Sequence, residues 1–248
     1  MKNKRKYFAP GTLTAPVPPA IVTVGDFDNA NMLTIAWTGI LASTPPKTYI
    51  SVRPSRHSYS MLKENGEFVV NLPSVSIAKE VDFVGIYTGA KMDKFEKTGL
   101  TKQRSEKVAP PTIAECPVAL ECRVCDIQPM GSHDVFVADI LNVSCSDSII
   151  DEDGKMRFDK ADLLAYAHGE YYSLGEIVGR FGFSTDKVKK VDKTKKNPEK
   201  TVENKKKSKN TEPPRKPFYE SAPRSKQVKK KPTDKNKGAP HGKRRAAK

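Results

Sequence analysis

The sequence predicts a mainly β domain, with six strands in a barrel or sandwich and helices in the crossovers, followed by a disordered basic tail. In residues 1–184, short apolar runs rich in β-branched residues alternate with Pro, Gly, Asn and Asp. Residues 185–248 hold 24 Lys and Arg against 7 Asp and Glu, a net charge of +17. The remaining 184 residues hold 20 basic and 22 acidic residues. The chain therefore combines a nearly neutral domain, 1–184, with a strongly basic segment, 185–248.

Six runs are expected to form strands because each is apolar or alternating and is bounded by turn-forming residues. The first ends at Gly25, the third at Pro54 and the fourth at Pro73. The fifth alternates between apolar and polar residues, whereas the sixth is nearly continuous. The six predicted strands are 20–24, 33–41, 48–53, 67–72, 117–124 and 135–143.

Three short helices are predicted between and after these strands. Residues 58–65 end at Gly66, a helix stop signal. Residues 76–84 place apolar side chains at helical spacing, and Ser76 is the expected N-cap. Residues 159–167 are expected to form a third helix.

The composition of the tail and the small number of cysteines exclude several classes of protein. Lys runs broken by Pro in 185–248 bury too little apolar area to offset the entropy of ordering, so disorder is expected. Neither a run of 18 apolar residues nor a secretory signal is evident, and four cysteines do not make a disulfide scaffold. We therefore expect a cytoplasmic protein with reduced thiols. Cys122 and Cys125 fall on opposite faces of a strand, which argues against a metal or redox pair.

One cluster of residues indicates an anion site. The segment 53–59 places hydroxyls, a guanidinium and free N–H groups at the start of a helix, which favours a phosphate. The alternative is a capped helix whose Arg56 and His57 are solvated. A turn and the strand after it contribute the other polar or aromatic candidates, which are Asn31, Thr34, Trp37 and Thr38. Thr34 and Trp37 are three residues apart, so a regular strand would place them on opposite faces unless a bulge or barrel twist intervened.

Several segments together resemble the flavin reductase-like family, and most of all its flavoredoxin branch. Residues 85–95 resemble the family pattern G-x-x-S-G-x-x-x-D-K-F, with Thr88 in place of Ser. Residues 131–133 resemble its G-D-H or G-S-H. The other similar segments are 31–39, 49–59, 67–73 and 172–183. The resemblance covers about residues 7–184 and leaves the Lys-rich tail outside the pattern.

The resemblance implies a six-stranded antiparallel split β-barrel of the FMN-binding type, usually a homodimer with FMN near the subunit interface. The residues implied to line the flavin ring and ribityl chain are Asn31, Met32, Thr34, Ala36, Trp37 and Thr38. Those implied to hold the phosphate are Ser55, Arg56, Ser58 and Tyr59, with Lys94 and Phe95 closing the pocket. His133 is placed at the open face of the flavin. The competing expectations are a core role for Met32 and Ala36, a lid role for Phe95, a solvated Lys94 and a His133 that only caps a turn.

The function implied is an FMN-dependent oxidoreductase that transfers electrons from NAD(P)H or a protein donor. No metal site and no nucleophile–base motif is evident, which agrees with chemistry carried by a cofactor. The alternative is a nucleic-acid-binding protein in which the barrel is a scaffold and the tail binds phosphate backbones or other polyanions. No membrane partner is expected.

Overall fold

Residues 4–185 are described by the computed structural model, and they belong to one compact unit. The predicted disordered tail and its binding of polyanions lie outside the described residues, apart from Thr185. No helix within residues 4–185 is long and apolar enough to cross a membrane.

Seven antiparallel strands form the main sheet, in the order β2-β1-β5-β8-β9-β4-β3. Two short hairpins, β6–β7 and β10–β11, lie outside it. The strands are β1 Ala20–Val24, β2 Asn31–Ile35, β3 Thr38–Ser43, β4 Pro46–Val52, β5 Glu67–Leu72, β6 Lys102–Gln103, β7 Thr112–Ile113, β8 Val118–Pro129, β9 Asp134–Cys145, β10 Leu164–Ala167 and β11 Glu170–Ser173. The helices are α1 His57–Asn65, α2 Ala78–Ile86 and α3 Lys94–Thr98.

The main sheet has seven strands rather than the predicted six, because the predicted strand 33–41 is divided into β2 and β3. The chain leaves the ladder at Ala36 and Trp37, so β2 ends at Ile35 and β3 begins at Thr38. These two strands are the opposite edges of the sheet, although only two residues separate them in the chain. The sheet must therefore curl until its edges meet at Ala36 and Trp37, which gives the expected split barrel.

Apolar side chains fill both sides of the strands that carry the site. In β1 every residue is buried, because one face lines the barrel interior and the other lies under α2. The interior cluster includes Phe68 and Phe136, both fully buried. The second cluster joins Met32 and Phe95 to the apolar face of α2. Each large side chain buried in this way contributes about 1.5–3 kcal/mol to folding, so β2 and α2 form a rigid support.

Strand β8 carries both Cys122 and Cys125. Cys122 is fully buried, and burial raises the pKa of its thiol to about 12. Cys125 is exposed, lies at the register shift between Val124 and Asp126, and accepts a hydrogen bond from Lys47. No metal-binding group of His, Cys, Asp or Glu occurs among residues 4–185.

The helices agree with the prediction only in part. Helix α1 ends as expected at Gly66, whose φ of 64° suits glycine. Helix α2 begins later than predicted, after a 3₁₀ turn, so Ser76 is not its N-cap.

The predicted helix over 159–167 is wrong, because the chain instead forms a 3₁₀ turn at Phe158–Lys160 and then β10. Helix α3 was not predicted. Its N-cap is Asp93, whose side chain accepts from the N–H groups of Phe95 and Glu96.

Candidate functional site

Two adjoining cavities open beside the junction of β2 and β3. The first, the tryptophan cavity, has a volume of about 440 Å³ and is lined by Thr34, Ala36, Trp37 and parts of β4 and α2. The second, the lysine cavity, has a volume of about 400 Å³ and is lined by Lys94, the N-terminus of α1 and the loop after α2. Leu33, Arg53 and Arg56 line both cavities, so the two form one continuous recess.

Lys94 is a buried cation at the base of the lysine cavity. Its side chain is only 4 % exposed, and its Nζ donates to the carbonyl oxygens of Met32 and Val84, both at 2.8 Å. Two of the three ammonium N–H groups are thus held by backbone, which leaves one for a ligand. The expectation that Lys94 is simply solvated is therefore wrong.

Helix α1 presents its N-terminus to the same cavity. Ser55, His57 and Ser58 line it, and no side chain caps the helix. The first N–H groups of a helix lack partners within the helix and favour an anion. Nη1 of Arg56 donates to the carbonyl of Gly85 at 3.2 Å, an anchor that leaves its other N–H groups available.

Asn31 is held at the cavity wall by two neighbours. Its Nδ2 donates to Oγ of Ser58 at 2.8 Å. On its other side, a Cβ added at Gly89 would lie 2.2 Å from Oδ1 of Asn31. The loop after α2 can approach Asn31 only because residue 89 is glycine.

The charges around the lysine cavity are unbalanced. Arg53, Arg56 and Lys94 line it together with His57, and no Asp or Glu is among its lining residues. Within residues 4–185 neither Arg56 nor Lys94 makes an ion pair. Burial and then the nearby Arg56 lower the pKa of Lys94 to about 8. An anion with several acceptor oxygens would relieve this repulsion and accept the remaining hydrogen bonds.

The break between β2 and β3 brings Thr34 and Trp37 to the same cavity. A continuous strand would have placed them on opposite faces, but the chain leaves the ladder between them. Oγ1 of Thr34 donates to the carbonyl of Val81 at 2.6 Å, which ties β2 to α2. Trp37 is 41 % exposed and therefore is not a barrel-core residue.

The ring of His133 packs against the ring of Trp37 at the tryptophan cavity. Their ring centroids are 4.5 Å apart and the planes are inclined by 42°. Burial, Arg53 and Arg56 all lower the pKa of His133, so its neutral form is favoured at neutral pH. Because Nδ1 lies 2.9 Å from Oγ of Ser132, the ring is held in position rather than free.

Four other predicted site residues lie away from both cavities. Met32 and Phe95 are buried in the cluster beneath α2, in agreement with a core role. Thr38 donates its Oγ1 to the carbonyl of Tyr49. Tyr59 donates its hydroxyl to Asp134 and packs edge-on against Phe136, so it belongs to the barrel wall. None of these four side chains lines either cavity. They pack behind the residues that do.

Several lining residues were not predicted. His57, which is solvated in the alternative interpretation of the segment 53–59, lines the lysine cavity. Asp82, Tyr166 and Tyr171 line the tryptophan cavity, where the Tyr171 hydroxyl donates to Asp82 at 3.3 Å. Arg53 lines both cavities, and its place in the segment 53–59 was the one available signal. The tyrosines come from the β10–β11 hairpin, whose first strand lies within the predicted helix 159–167.

Comparisons with known proteins agree with this architecture. Residues 13–175 match the family described as Flavin reductase like domain. An uncharacterized protein of Archaeoglobus fulgidus is 39% identical over 132 residues, which cover 53% of this chain and 73% of that protein.

Solved structures extend the similarity. The flavoredoxin of Desulfovibrio vulgaris (Miyazaki F) is similar with a TM-score of 0.67 and 32% identity, over 73% of this chain and 98% of that one. An FMN-binding protein from Thermus thermophilus, with bound 1-cyclohex-2-enone, has a TM-score of 0.61 and 23% identity, over 71% of this chain and 99% of that one. The second similarity concerns the fold alone.

Proposed function

The chain belongs to the flavin reductase like domain family, and on that basis we propose that it is an FMN-dependent oxidoreductase that uses the recess beside the β2–β3 junction. The phosphate occupies the lysine cavity, and the flavin ring occupies the tryptophan cavity. FMN supplies the redox chemistry, since its ring takes up and releases two electrons, and the protein supplies binding, orientation and electrostatics.

The unbalanced charge of the lysine cavity carries this proposal. A buried Lys94, two arginines and an uncapped helix N-terminus converge on a space without a lining carboxylate. A phosphate dianion supplies both the charge and the acceptor oxygens that these groups require. The adjoining tryptophan cavity has aromatic and apolar side chains in its wall, which suit a flat ring, together with Arg53, Arg56 and Asp82, which suit its polar edge. Together the two cavities are large enough for a mononucleotide.

The chain's own residues hold the two ends of the cofactor differently. Arg56, Lys94 and the hydroxyls of Ser55 and Ser58 bind the phosphate, while Asn31 fixes Ser58. Thr34, Ala36 and Trp37 pack along the ring. His133, whose ring packs beside Trp37 and whose pKa is lowered, contacts the substrate side of the ring.

Absorption spectroscopy tests the proposal. Purified protein should be yellow with a flavin spectrum, and the cofactor released by heat should run as FMN on chromatography. Protein stripped of cofactor should take up FMN in a one-to-one ratio. A colourless protein that also fails to bind added FMN would refute this function.

The electron donor is proposed to be NAD(P)H or a redox protein. Anaerobic addition of NADH and NADPH in turn, followed at the flavin absorption band, separates the two. Bleaching with one nucleotide identifies the donor. Bleaching with neither indicates a protein donor and excludes a nicotinamide-dependent flavin reductase.

A homodimer is also proposed, because the edge strand β3 exposes large apolar side chains beside the site. Ile40 is 67 % exposed and Leu41 is 53 % exposed, only a few residues from Trp37. Adjacent exposed apolar residues of this kind are typical of an interface. Analytical ultracentrifugation should give twice the chain mass, and Leu41→Asp should shift the protein towards the monomer. A monomeric parent protein at micromolar concentration would contradict the proposal.

A further inference from the structure

A third cavity is lined in part by Trp37. This outer cavity has a volume of about 350 Å³ and lies between the N-terminal segment 12–17, the β2–β3 connection and the turn of the β10–β11 hairpin. No residue of the lysine cavity lines it.

Backbone pairing fixes the walls of the outer cavity. Val17 and Tyr166 exchange two backbone hydrogen bonds, of 3.0 and 2.9 Å, so the N-terminal segment is tied to β10. The hairpin then turns through His168 and Gly169, both with positive φ. A positive φ is uncommon for a residue other than glycine, and His168, at a φ of 52°, lines the cavity with its neighbour Gly169.

The lining of the outer cavity suits a neutral, planar aromatic compound. Trp37, Tyr166 and His168 contribute rings, Leu13 and Val17 contribute apolar surface, and two threonines contribute hydroxyls. No Asp, Glu, Lys or Arg lines it. Aromatic walls favour a flat ring, and the lack of a charged partner disfavours an ionised ligand. The volume is within the range of small-molecule sites.

The outer cavity also adjoins the tryptophan cavity directly. Ala36, Trp37 and Tyr166 line both. A molecule in the outer cavity is therefore separated from the contents of the tryptophan cavity by no more than one layer of side chains.

We propose that the outer cavity binds the electron acceptor, and that this acceptor is a neutral quinone. The inference rests on the proposed function, since the reductant is the two-electron-reduced FMN of the tryptophan cavity. The reduced flavin gives up two electrons and two protons and becomes oxidised FMN. The quinone takes up both, so that its two carbonyl groups become the two hydroxyl groups of a hydroquinone.

The test uses the full chain loaded with FMN and reduced with one equivalent of dithionite under anaerobic conditions. Reoxidation is followed with 1,4-naphthoquinone and, separately, with ferricyanide, an inorganic acceptor that needs no aromatic pocket. Leu13→Asp removes apolar contact surface from the outer cavity and adds a charge. It should raise the half-saturating concentration of naphthoquinone about tenfold and leave FMN affinity and ferricyanide reduction unchanged.

Tyr7→Asp is the matched control, because Tyr7 lies in the same segment, is 91 % exposed and does not line the cavity. It should behave as the parent protein does. If Leu13→Asp is destabilised, Thr12→Trp, which fills the cavity, serves in its place. An unchanged naphthoquinone dependence in these cavity variants, or an equal change in Tyr7→Asp, would overturn the proposal.

A binding measurement separates this proposal from the proposed function. Trp37 is the only tryptophan of the chain, so its fluorescence in cofactor-free protein reports a ring bound beside it. Naphthoquinone should quench this fluorescence saturably in the parent and in Tyr7→Asp, but weakly in Leu13→Asp. Failure to bind FMN with intact quenching would refute the cofactor assignment and the acceptor role that rests on it, but would leave the outer cavity as a binding site for the quinone ring. Equal quenching in all three proteins would refute the outer cavity as the quinone site.

Discussion

The titration of Lys94 makes FMN binding depend on pH. In the cofactor-free protein, burial and Arg56 lower the pKa of Lys94 to about 8, whereas an ordinary lysine titrates at 10.5. A phosphate placed against the ammonium group stabilises its charged form and raises that pKa again. Binding of FMN therefore takes up a proton whenever the free protein has lost it. FMN affinity must fall as the pH rises through 8.

The size of the effect follows from the pKa. At pH 7 a group with a pKa of about 8 is about nine-tenths protonated, and at pH 9 it is about one-tenth protonated. If the phosphate keeps Lys94 charged over this range, FMN affinity falls about tenfold between pH 7 and pH 9, or about 1.4 kcal/mol. The phosphate itself contributes little, because its second pKa is near 6.

Isothermal titration of cofactor-free protein with FMN at pH 7, 8 and 9 measures the effect. Riboflavin, which lacks the phosphate, is the control ligand and should lose much less affinity over the same range. Lys94→Met should bind FMN more weakly at pH 7 and show no fall between pH 7 and 9. The matched variant is Lys91→Met, which changes an exposed lysine in the segment just before α3 and should keep the parent's pH dependence.

An affinity that is flat from pH 7 to 9 in the parent protein would refute the reasoning. A fall of equal size for riboflavin would also refute it, because the linkage would then concern the flavin ring rather than the phosphate.

Three further predictions concern other parts of the recess. Arg56→Ala should weaken FMN binding by about 1.5–3 kcal/mol, the range for hydrogen bonds to charged groups, while leaving riboflavin affinity, measured by the same titration, unchanged. Fluorescence of Trp37 should be strongly quenched in the holo protein and recover when FMN is removed, and Trp37→Phe should leave the apo melting temperature nearly unchanged because the side chain is 41 % exposed. Gly89→Ala should weaken FMN binding, since its Cβ would displace Asn31, whereas Gly175→Ala, in open space, should not; equal affinities in both would contradict the argument.

The strands were predictable from local pattern, but the break in the second run was not. Residues 33–41 form one mainly apolar run that contains Thr34, Thr38 and Gly39 but no Pro or Asn to divide it. The chain leaves the ladder at Ala36 and Trp37 because the barrel's two edges meet there, which depends on the pairing of distant strands. The helix expected over 159–167 failed for a related reason. Tyr166 pairs with Val17, a contact that no local window contains.

The site residues divide in the same way. Arg56, Ser55 and Ser58 were predictable because a helix N-terminus and its polar residues are adjacent in sequence. The burial of Lys94 was not, since its two acceptors lie on β2 and α2. The family resemblance assigned Tyr59 to the phosphate, yet its hydroxyl donates to Asp134 at the start of β9. Closeness in sequence therefore predicted site residues only where the site is built from one continuous segment, as at the N-terminus of α1.

The two-residue connection at Ala36 and Trp37 links the closure of the barrel to the geometry of the site. The carbonyl oxygen of Trp37 accepts a hydrogen bond from the N–H of Ser51 at 3.0 Å. The connection therefore still pairs with β4, although it lies beyond the end of β2. Because side chains alternate along a strand, a change of one residue here would turn β3 over relative to β2. Trp37 would then no longer face the wall shared by the tryptophan and outer cavities. The length of this connection is therefore constrained by barrel closure and by the recess together, and a single inserted residue should abolish flavin binding even in a chain that still folds.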